Sequence, residues 1–231
     1  MTGVHKIVAA VSSLICVCSL MACAHGRPEV AGLVNNWFAS EKVVIGEDHG
    51  TGVIIHESGY ILTAGHVVKG AKIILFAVED EQGRVTSLPA TVVAVDTGRD
   101  LAVLKVAGRF EKPVILADME SLQPGDAVYK IGYPYVCNKL VVRGHIMGLR
   151  VNIRIPAEKV NVPNATIVNL LIGPGDSGGG LFLEKDGRLA GILIGIIELK
   201  SGSESPMPLR IAVSVDDIKS FLRKNNIPFR D

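Results

Sequence analysis

Cysteine is scarce where it would count. The 231-residue sequence has four: Cys16 and Cys18 inside an apolar N-terminal run, Cys23 just after it, and Cys137 alone in the part that reads as folded. No intrachain disulfide is available there, so a packed core must hold the fold. No cysteine pair has zinc spacing and no His-Glu-x-x-His occurs, so no metal is expected. Nothing in the sequence asks for a cofactor either. Charge of one sign is lacking too: 24 Lys and Arg stand against 23 Asp and Glu, a formal net charge of +1. That balance gives no general reason to bind nucleic acid or acidic substrates. The loose gathering of bases between Lys139 and Lys159 reads as a solvated strand face, because Val151-Asn152-Ile153-Arg154-Ile155 alternates apolar and polar. The one long apolar run, residues 7–21, is shorter than the roughly 20 residues of a comfortable membrane span.

That run follows His5-Lys6 and ends in Leu20-Met21-Ala22-Cys23. A charged start, a short apolar core and a small residue before a cut describe a secretory signal over residues 1–22. The last four residues resemble a bacterial lipobox, which would make Cys23 the acylated first residue of an envelope lipoprotein. The alternative is ordinary cleavage at Ala22-Cys23-Ala24, which gives a soluble periplasmic or secreted protein. Residues 23–40 then read as a linker.

From Val43 onward the pattern is strand after strand. β-Branched runs such as Val53-Ile54-Ile55, Leu101-Ala102-Val103-Leu104 and Leu189 to Ile197 are bounded by Gly, Asp and Pro. The polar segment from Asp118 to Pro124 divides the strands into two sets, about 41–118 and about 125–214. Only residues 215–224 read as helix, with acids first, bases last and apolar residues at 215, 218, 221 and 222. Residues 225–231 read as a tail. Strands without helical crossovers mean antiparallel sheets closed as barrels or sandwiches, an all-β class.

Gly173-Pro174-Gly175-Asp176-Ser177-Gly178-Gly179-Gly180 sets one serine among five glycines. Such backbone leaves the hydroxyl accessible and lets N–H groups converge where a carbonyl oxygen would gain charge. The competing reading is a plain glycine-rich turn. A nucleophilic serine needs a base. Of the histidines, His5 is in the signal and His25 beside its cut. His49 and His56 sit in polar turns, and His145 follows Arg143-Gly144 as a surface residue. His66 differs, because a buried strand runs into Ala64-Gly65 just before it. The base needs an orienting carboxylate. Asp100 stands at the mouth of an apolar strand, where a charge needs a partner. Asp96, before Thr97-Gly98, reads as a turn former.

Thr63-Ala64-Gly65-His66 and Gly175-Asp176-Ser177-Gly178-Gly179 resemble the histidine and serine motifs of chymotrypsin-fold proteases. Gly50-Thr51-Gly52-Val53-Ile54-Ile55, Asp100-Leu101-Ala102-Val103-Leu104-Lys105 and Ile131-Gly132-Tyr133-Pro134 resemble, in order, the protease domain of the HtrA/Deg family. The likeness covers residues 43–222. It implies two six-stranded β-barrels of the trypsin-like fold with the site between them, and a serine endopeptidase acting on polypeptides. It implies His66 as base, Asp100 as its orienting partner and Ser177 as nucleophile. The N–H groups of Gly175 and Ser177 would form the oxyanion hole. Leu171, six residues before Ser177, would floor the specificity pocket, and Leu193-Ile194-Gly195 would supply a wall and a strand edge for substrate. An apolar floor favours cleavage after aliphatic residues. An oligomer is compatible with the likeness.

The chain departs from that pattern in three places. No PDZ domain is expected in the few residues after Leu222. Asp176 stands where HtrA proteins usually carry Asn, so its carboxylate needs a cation that the sequence does not name. Gly180 replaces the usual Pro or Ala. The rival to the enzyme reading is an idle protease-fold scaffold of the envelope.

Overall fold

A computed structural model of the chain describes residues 28–135, 137–155, 160–199 and 207–231. The signal segment, Cys23 and His25 lie outside the described residues. The strands form two closed antiparallel barrels, as the β-branched runs require. In barrel 1 the order is β1(Ser40–Ile45), β2(Asp48–His56), β3(Tyr60–Ala64), β6(Leu101–Val106), β5(Val85–Asp96) and β4(Leu75–Glu79), which closes on β1. In barrel 2 it is β10(Gly180–Leu183), β11(Leu189–Leu199), β12(Met207–Ser214), β9(Val160–Val168), β8(Leu140–Ile155) and β7(Ala127–Gly132), which closes on β10. Register shifts interrupt the ladders at residues 54–56, 92–94, 181–182 and 193–195 and three times along β8–β9. Such bulges bend strands enough to curl a sheet into a barrel. Val53, Ile61, Leu62 and Leu104 fill barrel 1, and Leu181, Ile192 and Val213 fill barrel 2, all fully buried.

Four sequence expectations are corrected. The linker is in part a helix, α1(Pro28–Ala39). Its Leu33 and Trp37, one turn apart, are buried. Asn36 is buried as well, and its amide donates to the Tyr129 hydroxyl at 2.8 Å and to the Gly187 carbonyl at 2.6 Å. A second helix, the single turn α2(Gly65–Val68), carries His66. Residues 140–155 form one long bulged strand, of which the alternating stretch 151–155 is only the end. The tail is packed: Ile227 is buried, and the Arg230 carbonyl accepts from the N–H of Leu116 on the inter-barrel connection at 2.8 Å. The expected helix is α3(Val215–Lys224). Ser214 caps it by accepting the Asp217 N–H at 3.3 Å, and acidic Asp216 and Asp217 sit against the positive end of its dipole.

Candidate active site

β3 ends against β6, and the one-turn α2 lifts His66 out of the barrel; its side chain is 47% exposed. Asp100 opens β6 and is buried. Its φ of +58° lies in the left-handed region, which aspartate tolerates better than most residues. Three bonds fix the pair. The Gly65 N–H donates to the Asp100 carbonyl at 2.9 Å. The His66 N–H donates to Asp100 Oδ1 at 2.7 Å, and His66 Nδ1 meets Oδ2 at 2.6 Å. A carboxylate there only accepts, so Nδ1 carries the proton and Nε2 is left as the basic nitrogen. Asp96, by contrast, accepts the N–H groups of Gly98 and Arg99 and pairs with the Arg99 guanidinium. It builds the turn that leads to Asp100.

Ser177 sits on the last turn before β10, and its carbonyl accepts the Thr51 N–H at 2.8 Å. Gly178, with φ +86°, lies against the segment that carries the histidine: a Cβ there would fall 2.1 Å from the Thr51 carbonyl oxygen and 2.9 Å from the Ala64 nitrogen. No side chain fits, and this close approach brings Ser177 beside α2. Gly175 has φ +97°, and a Cβ on it would fall 2.1 Å from the Tyr133 carbonyl oxygen. Among the described residues no backbone carbonyl accepts the N–H of Gly175 or Ser177. Both donors belong to one short turn with the serine hydroxyl.

The cation that Asp176 needs is Lys130. Both side chains are about 1% exposed, and the ammonium on β7 contacts Asp176 Oδ1 directly. Burial pushes the Lys130 amine below its ordinary value, and the bond to Asp176 opposes that shift. The other Asp176 oxygen accepts the Gly173 N–H at 2.9 Å. The buried pair therefore ties the loop of Ser177 to the wall of barrel 2.

Leu171 departs from expectation. It is 71% exposed and does not line a pocket floor, whereas its neighbours Leu170 and Ile172 are buried. Leu193 is also turned into the core, and its carbonyl is taken by the Gly178 N–H at 2.8 Å. Ile194 falls in the register shift between Leu193 and Gly195. From Gly195 on, β11 pairs with β12 on one side; among the described residues no strand pairs with its other side there. Gly195 thus starts an open strand edge.

Several residues beside the site went unnoticed in the sequence. His49, set aside as a turn residue, is half-buried: its Nε2 bonds the Tyr133 carbonyl at 2.8 Å and packs against Gly175. Lys130 and Glu41 carry no signal in the sequence, and Lys139 opens the run that reads as a solvated strand face; all three are buried. His56 and His145 stay peripheral. Among the described residues no group of three His, Cys, Asp or Glu could hold a metal.

The trypsin-like peptidase domain family matches residues 50–192. The chain belongs to that family. Among curated relatives, the magnetosome formation protease MamE of Paramagnetospirillum magneticum is 33% identical over 186 residues, covering 78% of this chain and 25% of its own length. A probable periplasmic serine endoprotease DegP-like of Halomonas elongata is 38% identical over 179 residues, covering 76% of this chain and 35% of its own. The chain therefore spans about a third or less of the relatives it matches. Among solved structures, the HtrA-type protease AlgW with tripeptide aligns at TM-score 0.70 and 25% identity, over 85% of this chain and 62% of that one. Deg5 aligns at TM-score 0.67 and 22% identity, over 85% and 93%, a likeness of fold.

Proposed function

We propose that this chain is an exported serine endopeptidase of the HtrA/Deg type. The observation that carries the reading is the pair of hydrogen bonds between Asp100 and His66, through backbone and ring, with Gly178 seating Ser177 against the same turn. His66 Nε2 takes the hydroxyl proton of Ser177 as Oγ attacks the scissile carbonyl carbon. Asp100 keeps the imidazole in the required tautomer and stabilises the imidazolium that forms. The N–H groups of Gly175 and Ser177 receive the oxyanion. His66 then gives its proton to the leaving amine, leaving an acyl-enzyme on Ser177. Water, deprotonated by His66, releases the acid and restores the serine.

An extended substrate adds to the open edge of β11 from Gly195, where main-chain bonds supply affinity. Ile172 and Ile194, 9% and 8% exposed, are less deeply buried than Leu170 and Leu193 and are the proposed apolar contacts for a substrate side chain. They favour aliphatic residues, whose burial is worth about 1.5–3 kcal/mol. Such residues are exposed in unfolded chains, which are the proposed substrates. The relatives named as periplasmic endoproteases, and AlgW with its bound tripeptide, support a peptide substrate in the cell envelope. Acylation at Cys23 would hold the protein at the membrane; among the described residues no helix is long and apolar enough to cross one.

The test is labelling by a serine-directed phosphonate. The adduct should form on Ser177 in the wild type and be absent in Ser177→Ala and strongly slowed in His66→Ala. A correctly folded wild type that neither labels nor cleaves an unfolded protein would overturn the reading in favour of an idle scaffold.

A further inference from the structure

A second set of buried charges lies beside the nucleophile loop, on the seam between the barrels. Glu41 on β1 is 0% exposed, and Lys139, on the β7–β8 connection, is 5% exposed. The Lys139 ammonium donates to Glu41 Oε1 at 2.9 Å and to the carbonyl of Trp37, near the end of α1, at 3.0 Å. Glu79 Oε2 on β4 stands 3.6 Å from the same nitrogen. The other Glu41 oxygen accepts the Tyr133 hydroxyl at 2.8 Å. Burial, and then the Glu41 charge, push the Tyr133 phenol far above its ordinary range, so it remains a donor. Lys42, over the Tyr133 ring at 5.3 Å, completes the charged groups that face the cluster among the described residues. Burying two ions is costly, and here their polar atoms are matched by partners from four elements.

The position of this cluster gives it a further role. Tyr133 and Tyr135 lie with their backbones on the nucleophile loop. The Tyr135 N–H donates to the Pro174 carbonyl at 2.6 Å. Thr51 Oγ1 accepts the Tyr133 N–H at 3.3 Å and donates to the Gly175 carbonyl at 2.8 Å. The Tyr133 carbonyl closes over Gly175 so tightly that no Cβ would fit there, and the Tyr135 ring lies against Gly173. The peptide that carries one oxyanion donor is thus boxed in by residues 133–135, and the buried charges anchor that box.

We propose that Lys139 is a positioning residue for catalysis: with Glu41 and Tyr133 it clamps residues 133–135 onto residues 173–175 and so holds the Gly175 N–H at the reacting carbonyl. The inference rests on the serine endopeptidase reading above. All three residues are buried, so they would act without touching substrate. Through the Trp37 carbonyl the clamp also ties α1 to the oxyanion donors. An oxyanion donor acts only when its hydrogen bond tightens at the transition state, so a shifted donor lowers turnover and leaves ground-state binding intact.

The experiment compares Tyr133→Phe and the double variant Glu41→Gln/Lys139→Met with the wild type at pH 8. Lys139→Met alone would strand the Glu41 charge and can unfold the chain; the double variant removes both charges, and thermal unfolding confirms that it is folded. Tyr133→Phe removes one hydroxyl and keeps the ring. The probes are a peptidyl aldehyde with valine at its end and the matching peptide amide. Ser177 adds to the aldehyde carbon, its proton passes to His66, and the carbonyl oxygen becomes an oxyanion; the amide only binds. In both variants kcat should fall by roughly 10–100-fold, as for a group misplaced by a fraction of an ångström to an ångström, with KM barely changed. The aldehyde should weaken by the same factor while the amide binds as before. Folded variants with wild-type kcat and aldehyde affinity would overturn the clamp, as would a loss carried by KM and by both ligands alike. A wild type that forms no phosphonate adduct would instead defeat the endopeptidase reading on which the clamp rests.

Discussion

Replacing Lys130 by Met tests whether the buried ion pair beneath the Ser177 loop holds that loop. The substitution keeps most of the side-chain volume but leaves the Asp176 carboxylate 1% exposed, with the Gly173 N–H as its remaining donor. Removing one partner of a buried pair costs about 3–5 kcal/mol, because the other charge stays out of water. For a chain of this size each kcal/mol moves the melting temperature by about 2–4 °C, so Lys130→Met should melt roughly 6–20 °C below the wild type. The double variant Lys130→Met/Asp176→Asn leaves no charge at this pair, and its Asn can still accept from Gly173. Replacing a whole buried pair is often close to neutral, so the double variant should recover most of the loss. Thermal and urea unfolding followed by circular dichroism would measure both. The reasoning fails if the single variant melts with the wild type, or if the double variant is no better than the single one.

Asp100→Asn should lower kcat by about 10⁴ by favouring the wrong histidine tautomer, while Asp96→Asn should leave turnover intact and cost only turn stability; initial rates on one peptide separate them. Ser177→Ala and His66→Ala should each abolish nearly all turnover, and combining them should add little, as measured by kcat/KM. Burial, opposed by Lys139, pushes the Glu41 carboxyl up from 4.5 to about 7. The folded chain therefore keeps a proton that the unfolded chain has already lost. Glu41 should make stability fall as pH rises from about 4.5 to 7, by at most about 1.4 kcal/mol per pH unit, and Glu41→Gln should remove that slope in urea titrations. Products from a denatured protein should end mainly in Val, Ala, Ile or Leu; ends in Lys or Arg would refute an apolar pocket. If Cys23 is acylated, the wild type should partition into detergent and Cys23→Ala should not.

The barrels were legible because strand pattern and burial agree: the β-branched runs between Val53 and Val106 and between Val128 and Val213 are the walls of the two cores. The catalytic candidates were legible because small residues around His66 and Ser177 have no purpose in a bare strand. What escaped notice did so for identifiable reasons. A lysine in Val128-Tyr129-Lys130-Ile131 reads as a solvent-facing rung, yet residues 128–132 are buried on both faces. Only the fold brings Asp176 to that rung, 46 positions along the chain. Glu41-Lys42 likewise reads as an exposed charged pair, and its partner Lys139 arrives from the other barrel. Leu171 misleads in the opposite direction, an apolar residue left in solvent between two buried neighbours. Helix α1 has apolar residues around much of its circumference and two adjacent asparagines, so its period is faint; its stability comes from packing that no local pattern displays.

The placement of Ser177 just ahead of β10 has a consequence for the life of the chain. Strand β10 is the seam of barrel 2: it pairs with β11 nearby and with β7 about 50 residues earlier. Pairings so far apart in sequence are slow to form, because a long loop must close before any bond repays it. Until that seam is sewn, Lys130 has no Asp176 to meet and Ser177 no turn of β3 to rest against. On the proposed reading, a nascent chain and any neighbour folding beside it would be safe from Ser177 until the barrel has shut: the stitch that completes the housing would also assemble the hydrolytic site.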